Sequence, residues 1–424
     1  MNIFIDMVGC RLNQSEIEQF AFQLRAAGHQ IVADASDAEI AIVNTCTVTA
    51  SAAADSRKVI RRIARAGCPR IIATGCLSTI DPDQVLALPS ISKIIPNQNK
   101  ENLVESISGT ISIKAAKEIK RQPLPGKNKR TRAFIKVQDG CDNFCTFCIT
   151  RVARGRSRSI LEKNIFRDIE YALIGGAKEI VLTGVNLGSW GCDLPGSSRL
   201  SDLMTKIIER YKIPRIRLSS IEPWDIDQDL IDLFKNPVLC PHFHLPLQSG
   251  CDQTLSRMGR RITTNQFEKL IERIRLINRK ISITTDIMVG FPGETEIEFN
   301  TSLSFIKGIN FSDGHVFRYS PRRGTPAFSY QQKVQESTKK ERSKLMRDVI
   351  LKSKLEYWQK NIGNKVFALW ERSEKLNNNT YKFSGLSENY IPIEALSSTD
   401  LYNQISNVEI QNIIQNRVCG KIIN

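Results

Sequence analysis

Through residues 1–108, short apolar runs alternate with longer stretches whose apolar residues recur every three or four positions. Asn2–Val8 reads as a strand ended by Gly9-Cys10, and Gln14–Ala27 as a helix stopped at Gly28. Glu39–Asn44 reads as a buried-type strand, followed by Thr45-Cys46-Thr47. Ala50–Ala66 is again helical and ends at Gly67, and Arg70–Thr74 is a third strand, followed by Gly75-Cys76. Strands alternating with helices predict a small parallel α/β domain.

The same alternation returns over residues 133–334. Strands are expected at Ala133–Val137, Glu179–Thr183, Arg215–Ser219, His242–Leu247, Ser282–Val289 and His315–Tyr319, with helices between them such as Lys163–Leu173 and Asn265–Asn278. Six units with right-handed crossovers curl into a parallel barrel. Periodicity alone equally allows an eight-unit barrel or an open sheet. Residues 109–132 read as a linker, opened by Gly109-Thr110 and broken at Pro123-Leu124-Pro125-Gly126. Residues 335–362 carry one amphipathic helix leading out of the barrel. In 363–424 the pattern shifts to short strands, Val366–Trp370, Thr380–Phe383, Tyr390–Ile393 and Val408–Ile414, as in a small β-barrel.

Charge narrows the class of partner. Sixty basic against 44 acidic residues give a net charge of +16, the footprint of a protein that meets a polyanion such as nucleic acid or a ribosome surface. From Lys114 to Lys136 there are nine basic residues and one acidic, Glu118. This is either a solvated run or a salt-sensitive contact with a phosphate backbone. In the last domain Trp370, Arg372, Lys375, Tyr381, Lys382 and Tyr390 interleave aromatic and basic side chains, a surface suited to bases and phosphates. No run of about 18 apolar residues predicts a membrane span, and the start lacks the regions of a secretory signal. Eleven cysteines, an odd number, then fit a reducing cytoplasm with metal-bound thiolates better than a disulfide framework.

Two sets of cysteines carry candidate chemistry. Cys141, Cys145 and Cys148 stand at C-x3-C-x2-C spacing in one loop after a strand and Gly140. A structural zinc site closes with four ligands, and the histidines, His29, His242, His244 and His315, lie far off in sequence. A [4Fe–4S] cube on three thiolates keeps one iron open. The spacing also accommodates three buried cysteines or a zinc knuckle with a distant fourth ligand. Cys10, Cys46 and Cys76 each sit just past the carboxyl end of an expected strand, the edge where ligands collect in open parallel sheets. Three unrelated buried cysteines are the plain alternative. Cys68 follows a helix, and Cys192, Cys240 and Cys251 have no ligand-like spacing; these four read as structural.

The 141–148 loop, with Phe147 just before its last cysteine, resembles the signature of radical S-adenosylmethionine enzymes. Gly9-Cys10-Arg11-Leu12-Asn13, Asn44-Thr45-Cys46-Thr47-Val48-Thr49 and Gly75-Cys76-Leu77 resemble the amino-terminal domain of one branch, the methylthiotransferases. The resemblance implies an α/β fold in three parts: that amino-terminal domain, an open (β/α)6 partial barrel and a carboxy-terminal TRAM-like β-barrel. It implies two [4Fe–4S] clusters, one on Cys141, Cys145 and Cys148 and an auxiliary one on Cys10, Cys46 and Cys76, together with S-adenosylmethionine. It sets Phe147 against the adenine of that cofactor and likens Gly175-Gly176 to the glycine pair that meets its amino group, although Ala177 stands where an acidic residue is usual. Leu247-Gln248-Ser249-Gly250 resembles a family run; Gln248, and Glu222 past the third strand, are expected to contact hydroxyl or amine groups. Arg151, Arg154, Arg156 and Arg158 after Cys148 suggest an anionic substrate, although Ile149–Gly155 lacks the proline the family has there.

Implied partners are the anticodon loop of transfer RNA, a reductant such as flavodoxin or ferredoxin, and a sulfur donor. The Asn44–Thr49 run resembles the branch acting on N6-threonylcarbamoyladenosine 37. Other branches act on N6-isopentenyladenosine 37 or on a ribosomal-protein aspartate. An electron carrier or a zinc-containing RNA-binding protein without catalysis are readings from other classes.

Overall fold

The computed structural model describes residues 1–109, 122, 124–125, 131–196, 198–278, 280–376 and 380–423. Of the basic run from Lys114 to Lys136 only Arg132 and Lys136 are among them. The other basic residues, and Pro123 and Gly126 of the expected break, lie outside the described residues.

Strands β1 (Asn2–Met7), β2 (Gln30–Ile31), β3 (Ile40–Thr45), β4 (Ile71–Gly75) and β5 (Ile91–Ile95) form an all-parallel sheet in the order β2-β1-β3-β4-β5. Alternation along the strands divides its two faces. Ile3, Ile5, Ile40 and Ile42 pack with Ile17, Phe20 and Leu24 of helix Arg11–Ala26. Ala41, Val43 and Ala73 pack with Ile60 and Ile63 of helix Ala50–Arg65. Burial on both faces explains why β3 and β4 read as continuous apolar runs.

The central domain holds β6 (Arg132–Lys136), β7 (Gln138–Asp139), β8 (Arg158–Ser159), β9 (Glu179–Thr183), β10 (Ile216–Leu218), β11 (His242–His244), β12 (Ser282–Val289) and β13 (Asp313–Arg318). β6-β9-β10 and β11-β12-β13 are parallel three-stranded sheets, and parallel bridges Ile216–Leu239 and Ser220–His244 join them. Six parallel strands thus follow in chain order around one wall. No pairing closes β6 onto β13 among the described residues. This is the open six-unit arrangement, with its apolar core between strands and outer helices.

Helix Glu336–Lys360 differs from the amphipathic expectation. Its buried positions, Lys339, Arg342, Ser343, Met346, Ile350, Ser353 and Trp358, keep helical spacing but are mostly polar. Arg342 is held by the Glu294 carbonyl at 2.9 Å and its carboxylate at 3.2 Å. The helix docks partly through buried charge.

Strands β14 (Lys365–Lys375), β15 (Tyr381–Ser387), β16 (Pro392–Ser397), β17 (Ile405–Ile414) and β18 (Arg417–Ile423) close a barrel in the order β14-β15-β16-β18-β17. Trp370 is fully buried in its core beside Phe383, so it does not belong to the expected base-stacking surface. A buried ionic joint fastens this barrel to the amino end of the central strands. Arg215 donates to the carbonyls of Phe367 and Leu386, and Arg217 to those of Glu388 and Ser387, each at 3.0 Å. Beneath both lies Glu179, 2.6 Å from Arg215 and 2.9 Å from Arg217.

Candidate metal centres and barrel mouth

β1, β3 and β4 are neighbours in the sheet, and each is followed at its carboxyl end by one cysteine of the first set. Cys10 opens helix Arg11–Ala26, Cys46 follows β3 directly, and Cys76 opens helix Cys76–Ile80. Close approach at Gly9 allows this: its φ is +119°, and a Cβ there would lie 2.7 Å from the Cys46 Cβ and 3.0 Å from its sulfur. Cys46 and Cys76 are buried, whereas Cys10 is exposed. Burial pushes the Cys46 thiol up to about 12, and the Cys10 and Cys76 thiols push the same way. The three sulfurs therefore share one electrostatic neighbourhood.

The second set is shaped by Gly140, whose φ is +71° and whose missing Cβ leaves room for the Arg156 carbonyl oxygen, 1.9 Å from where it would sit. The Cys141 amide donates to the Gly155 carbonyl at 3.1 Å, and the Cys148 amide to the Cys145 carbonyl at 3.1 Å, so the loop folds back on itself. The Asn143 amide donates to the Cys141 sulfur at 3.4 Å, and Arg260 to the Cys145 sulfur at 3.7 Å. Burial raises the thiols, Cys141 to about 11 and Cys145 to about 12.

Other expected site residues divide between the two ends of the barrel. Phe147 meets Phe291 edge-on at 6.4 Å, on the side of the thiols. Glu222 grips Arg260 with both oxygens, at 3.1 and 2.7 Å, so its carboxylate already has a cation. Gln248 holds a left-handed φ of +77°, fixed where its amide meets the Asp286 carbonyl and its own carbonyl accepts from Met288. Gly175-Gly176 lies elsewhere. The pair ends helix Glu162–Ile174 before β9 begins, at the amino end of the strands, and the Gly176 carbonyl accepts from Asn403 of the last barrel at 3.0 Å. With φ +80°, Gly176 is a helix stop. The segment that does follow β9 at the mouth is Gly184-Val185-Asn186, whose Val185 and Asn186 amides both donate to Gln138 Oε1 at 2.9 Å. Its position past a strand end was the signal available in the sequence.

The arginines after Cys148 also separate. Arg154 is buried and donates to Glu16 at 3.0 Å, Asp139 at 2.9 Å and Asn13 at 2.7 Å. It is a joint between the two cysteine-bearing domains, not a free anion site. Arg151 stacks on Phe144, 3.9 Å from its centroid. Arg156 is exposed and paired with Asp142 at 3.3 Å, and Arg158 is exposed on β8. Asn97 completes the joint, donating to the Ala153 carbonyl at 2.8 Å and to the Cys76 sulfur at 3.7 Å. Arg322, past β13, lies within electrostatic reach of Cys46.

Two buried polar atoms just past strand ends, Asn186 Oδ1 and Ser219 Oγ, have no hydrogen-bond partner, and neither does Arg260 Nε beside Cys145. Buried groups of this kind are ordinarily satisfied, so their gathering at one mouth marks a place for a polar ligand. Among the described residues no group of three or more His, Cys, Asp or Glu side chains is gathered as a single metal ion requires. Thiolates are the donors that hold iron–sulfur clusters, and three of them leave one iron of a cube open. No helix among the described residues is long and apolar enough to cross a membrane.

Comparison with known proteins agrees with this layout. Residues 135–306 match the Radical SAM superfamily, and residues 2–95 match Uncharacterized protein family UPF0004. The chain is 39% identical over 381 residues, 86% of each chain, to a Thermotoga maritima protein named threonylcarbamoyladenosine tRNA methylthiotransferase MtaB. A Bacillus subtilis protein of the same name is 33% identical, covering 95% of this chain and 92% of that one. A Clostridium tetani tRNA-2-methylthio-N(6)-dimethylallyladenosine synthase is 30% identical over 96% of this chain and 93% of that one. Among solved structures, the radical S-adenosylmethionine methyltransferase TsrM of Kitasatospora setae aligns over 77% of this chain and 76% of its own, with a TM-score of 0.56 at 13% identity. That likeness is one of fold.

Proposed function

The chain belongs to the radical S-adenosylmethionine tRNA methylthiotransferases, an enzyme family, and from that premise we propose that it places a methylthio group on C2 of N6-threonylcarbamoyladenosine 37 in the anticodon loop of transfer RNA. The observation that carries the reading is the pair of thiol triads on facing domains, with Arg154 and Asn97 locking one against the other. Support for the threonylcarbamoyl substrate comes from the relatives of that name, at 33–39% identity, against 30–32% for relatives named for the dimethylallyl nucleoside. The reaction uses two molecules of S-adenosylmethionine, an electron donor such as flavodoxin or ferredoxin, and a sulfur donor, in the cytoplasm.

Cys141, Cys145 and Cys148 would hold the cluster that binds S-adenosylmethionine; Cys10, Cys46 and Cys76 would hold the cluster that carries the transferred sulfur. When bound, these groups supply a radical able to open an inert C–H bond and a methylated sulfur to put in its place. The protein's part is to position, tune and exclude water. Arg260 sets a positive charge beside the Cys145 sulfur, which favours its ionised, metal-binding form. Glu222 holds Arg260 in that position. Phe147 offers a flat apolar face at the mouth. Gln248 and the partnerless atoms Asn186 Oδ1 and Ser219 Oγ offer hydrogen bonds to a cofactor's hydroxyl and amine groups. Gly175 and Gly176, at the other end, take no part.

Mass spectrometry of nucleosides from transfer RNA incubated anaerobically with the enzyme tests the substrate. The methylthio derivative of threonylcarbamoyladenosine is expected. Formation of the isopentenyl derivative instead would refute the choice of branch.

A further inference from the structure

The residue after Cys10 turns into the central barrel. Arg11 donates to the Tyr390 hydroxyl at 2.5 Å, and the Tyr390 ring stacks on buried His242 of β11, centroids 4.0 Å apart. Above His242 a polar chain climbs the wall. Thr284 Oγ1 lies 3.0 Å from His242 Nε2 and 2.9 Å from His244 Nδ1, and His244 Nε2 lies 3.3 Å from Asp286 Oδ2. The other oxygen, Asp286 Oδ1, is buried without a partner. His315 sits opposite Asp286 on β13, the open edge, and is exposed. Burial works against the Asp286 charge, but His244 first, then His315 and Arg11, hold it below the usual carboxylate range. The wall between Cys10 and the barrel edge therefore carries a cation in the first turn of the helix that Cys10 opens, and an acceptor still seeking a donor.

We propose that Arg11 and Asp286 form the pocket for the N6 substituent of the substrate base, Arg11 taking the threonyl carboxylate and Asp286 Oδ1 accepting from a carbamoyl N–H. This rests on the substrate reading above and names the residues that would enforce it. An isopentenyl group has neither a carboxylate nor a carbamoyl N–H. It would bury both side chains unpaired, and sites built for hydrogen bonding reject such analogues strongly.

The test uses reconstituted enzyme and anticodon stem-loop RNA carrying threonylcarbamoyladenosine, its carboxamide, which lacks the charge, or isopentenyladenosine. Wild-type enzyme should show a KM about 10- to 100-fold higher for the carboxamide, the range of a lost charged hydrogen bond. Arg11→Gln should raise KM for the carboxylate by a similar factor, lose the preference for carboxylate over carboxamide, and still cleave S-adenosylmethionine reductively. Arg11→Lys should recover part of the preference. Equal KM values for the two RNAs with wild-type enzyme, or a preference retained by Arg11→Gln, would overturn the assignment. Should Arg11→Gln fail to hold iron, Arg11→Lys carries the test: a reduced preference for carboxylate over carboxamide is expected, and a preference equal to that of the wild type would overturn the assignment. Modification of isopentenyl RNA and not of threonylcarbamoyl RNA would instead remove the substrate reading beneath it.

Discussion

Arg154→Ala is the perturbation whose size the structure fixes best. The guanidinium serves two carboxylates on two domains, Glu16 at 3.0 Å and Asp139 at 2.9 Å, and is nearly inaccessible. Breaking a buried ion pair from one side costs about 3–5 kcal/mol when the survivor is left uncompensated. Here each carboxylate keeps an ammonium: Lys100 stands 2.7 Å from Glu16, and Lys136 stands 3.4 Å from Asp139. The expected loss is therefore near the lower bound, about 3 kcal/mol. Arg154→Ala and Glu16→Gln remove the same pair, so the double variant should be less destabilised than the sum by about 1–3 kcal/mol. The pH dependence has a definite sign. Burial raises the Glu16 carboxyl, but Arg154, then Lys100 and Lys136, outweigh it and hold the group well below its usual range. Such a carboxylate adds stability that is complete above its unfolded value, about 4.3, and fades as pH falls towards the folded value. Acid should thus cost the wild type more than Arg154→Ala. Urea unfolding of the reconstituted protein at neutral and acid pH reads both effects. Strictly additive losses, or a midpoint that Arg154→Ala leaves unmoved, would refute the network.

Other outcomes follow from the same geometry. Glu179→Gln removes the anion shared by Arg215 and Arg217, so a loss of about 3–5 kcal/mol is expected, together with weaker tRNA binding as the last barrel loosens; an unchanged melting temperature counts against the joint. Gly140→Ala drives a Cβ into the Arg156 carbonyl at a φ of +71°, costing at least about 1–3 kcal/mol, and should abolish reductive cleavage of S-adenosylmethionine; normal cleavage would show the turn to be dispensable. Cys46→Ala should keep that cleavage but lose thiolation, with both products quantified from one anaerobic reaction; the reverse pattern contradicts the assigned roles.

What the sequence made legible is what local patterning controls. β9 and β12 match their expected spans to the residue: an apolar core of three marks β9, and a run rich in β-branched Ile, Thr and Val ending at Gly290 marks β12. The carboxyl-end placement of Cys10, Cys46 and Cys76 could be read because strand and cysteine are adjacent in the chain. β2, β5 and β18 escaped: β2 is two residues long, Ser92-Lys93 interrupts β5, and Gly420-Lys421 interrupts β18, so none shows a strong apolar signal. Arg154 reads in the sequence as one of four arginines of an anion site, because charge density carries no information about burial against a partner such as Glu16, 138 residues away. Glu179 looked like the polar start of a strand, and only the fold brings three arginines to it. Gly175-Gly176 matched in letters what its place in the fold denies: a helix stop is written with the same residues as a ligand-binding turn.

Two open cubes, one on each triad, would give the protein a definite metal content, which iron and sulfide analysis of anaerobically purified protein measures. About eight of each are expected per wild-type chain, and about four in a chain lacking either Cys10, Cys46 and Cys76 or Cys141, Cys145 and Cys148. Zinc in place of iron, or about four iron in the wild type and the same number once residues 10, 46 and 76 are replaced, would contradict the two cubes.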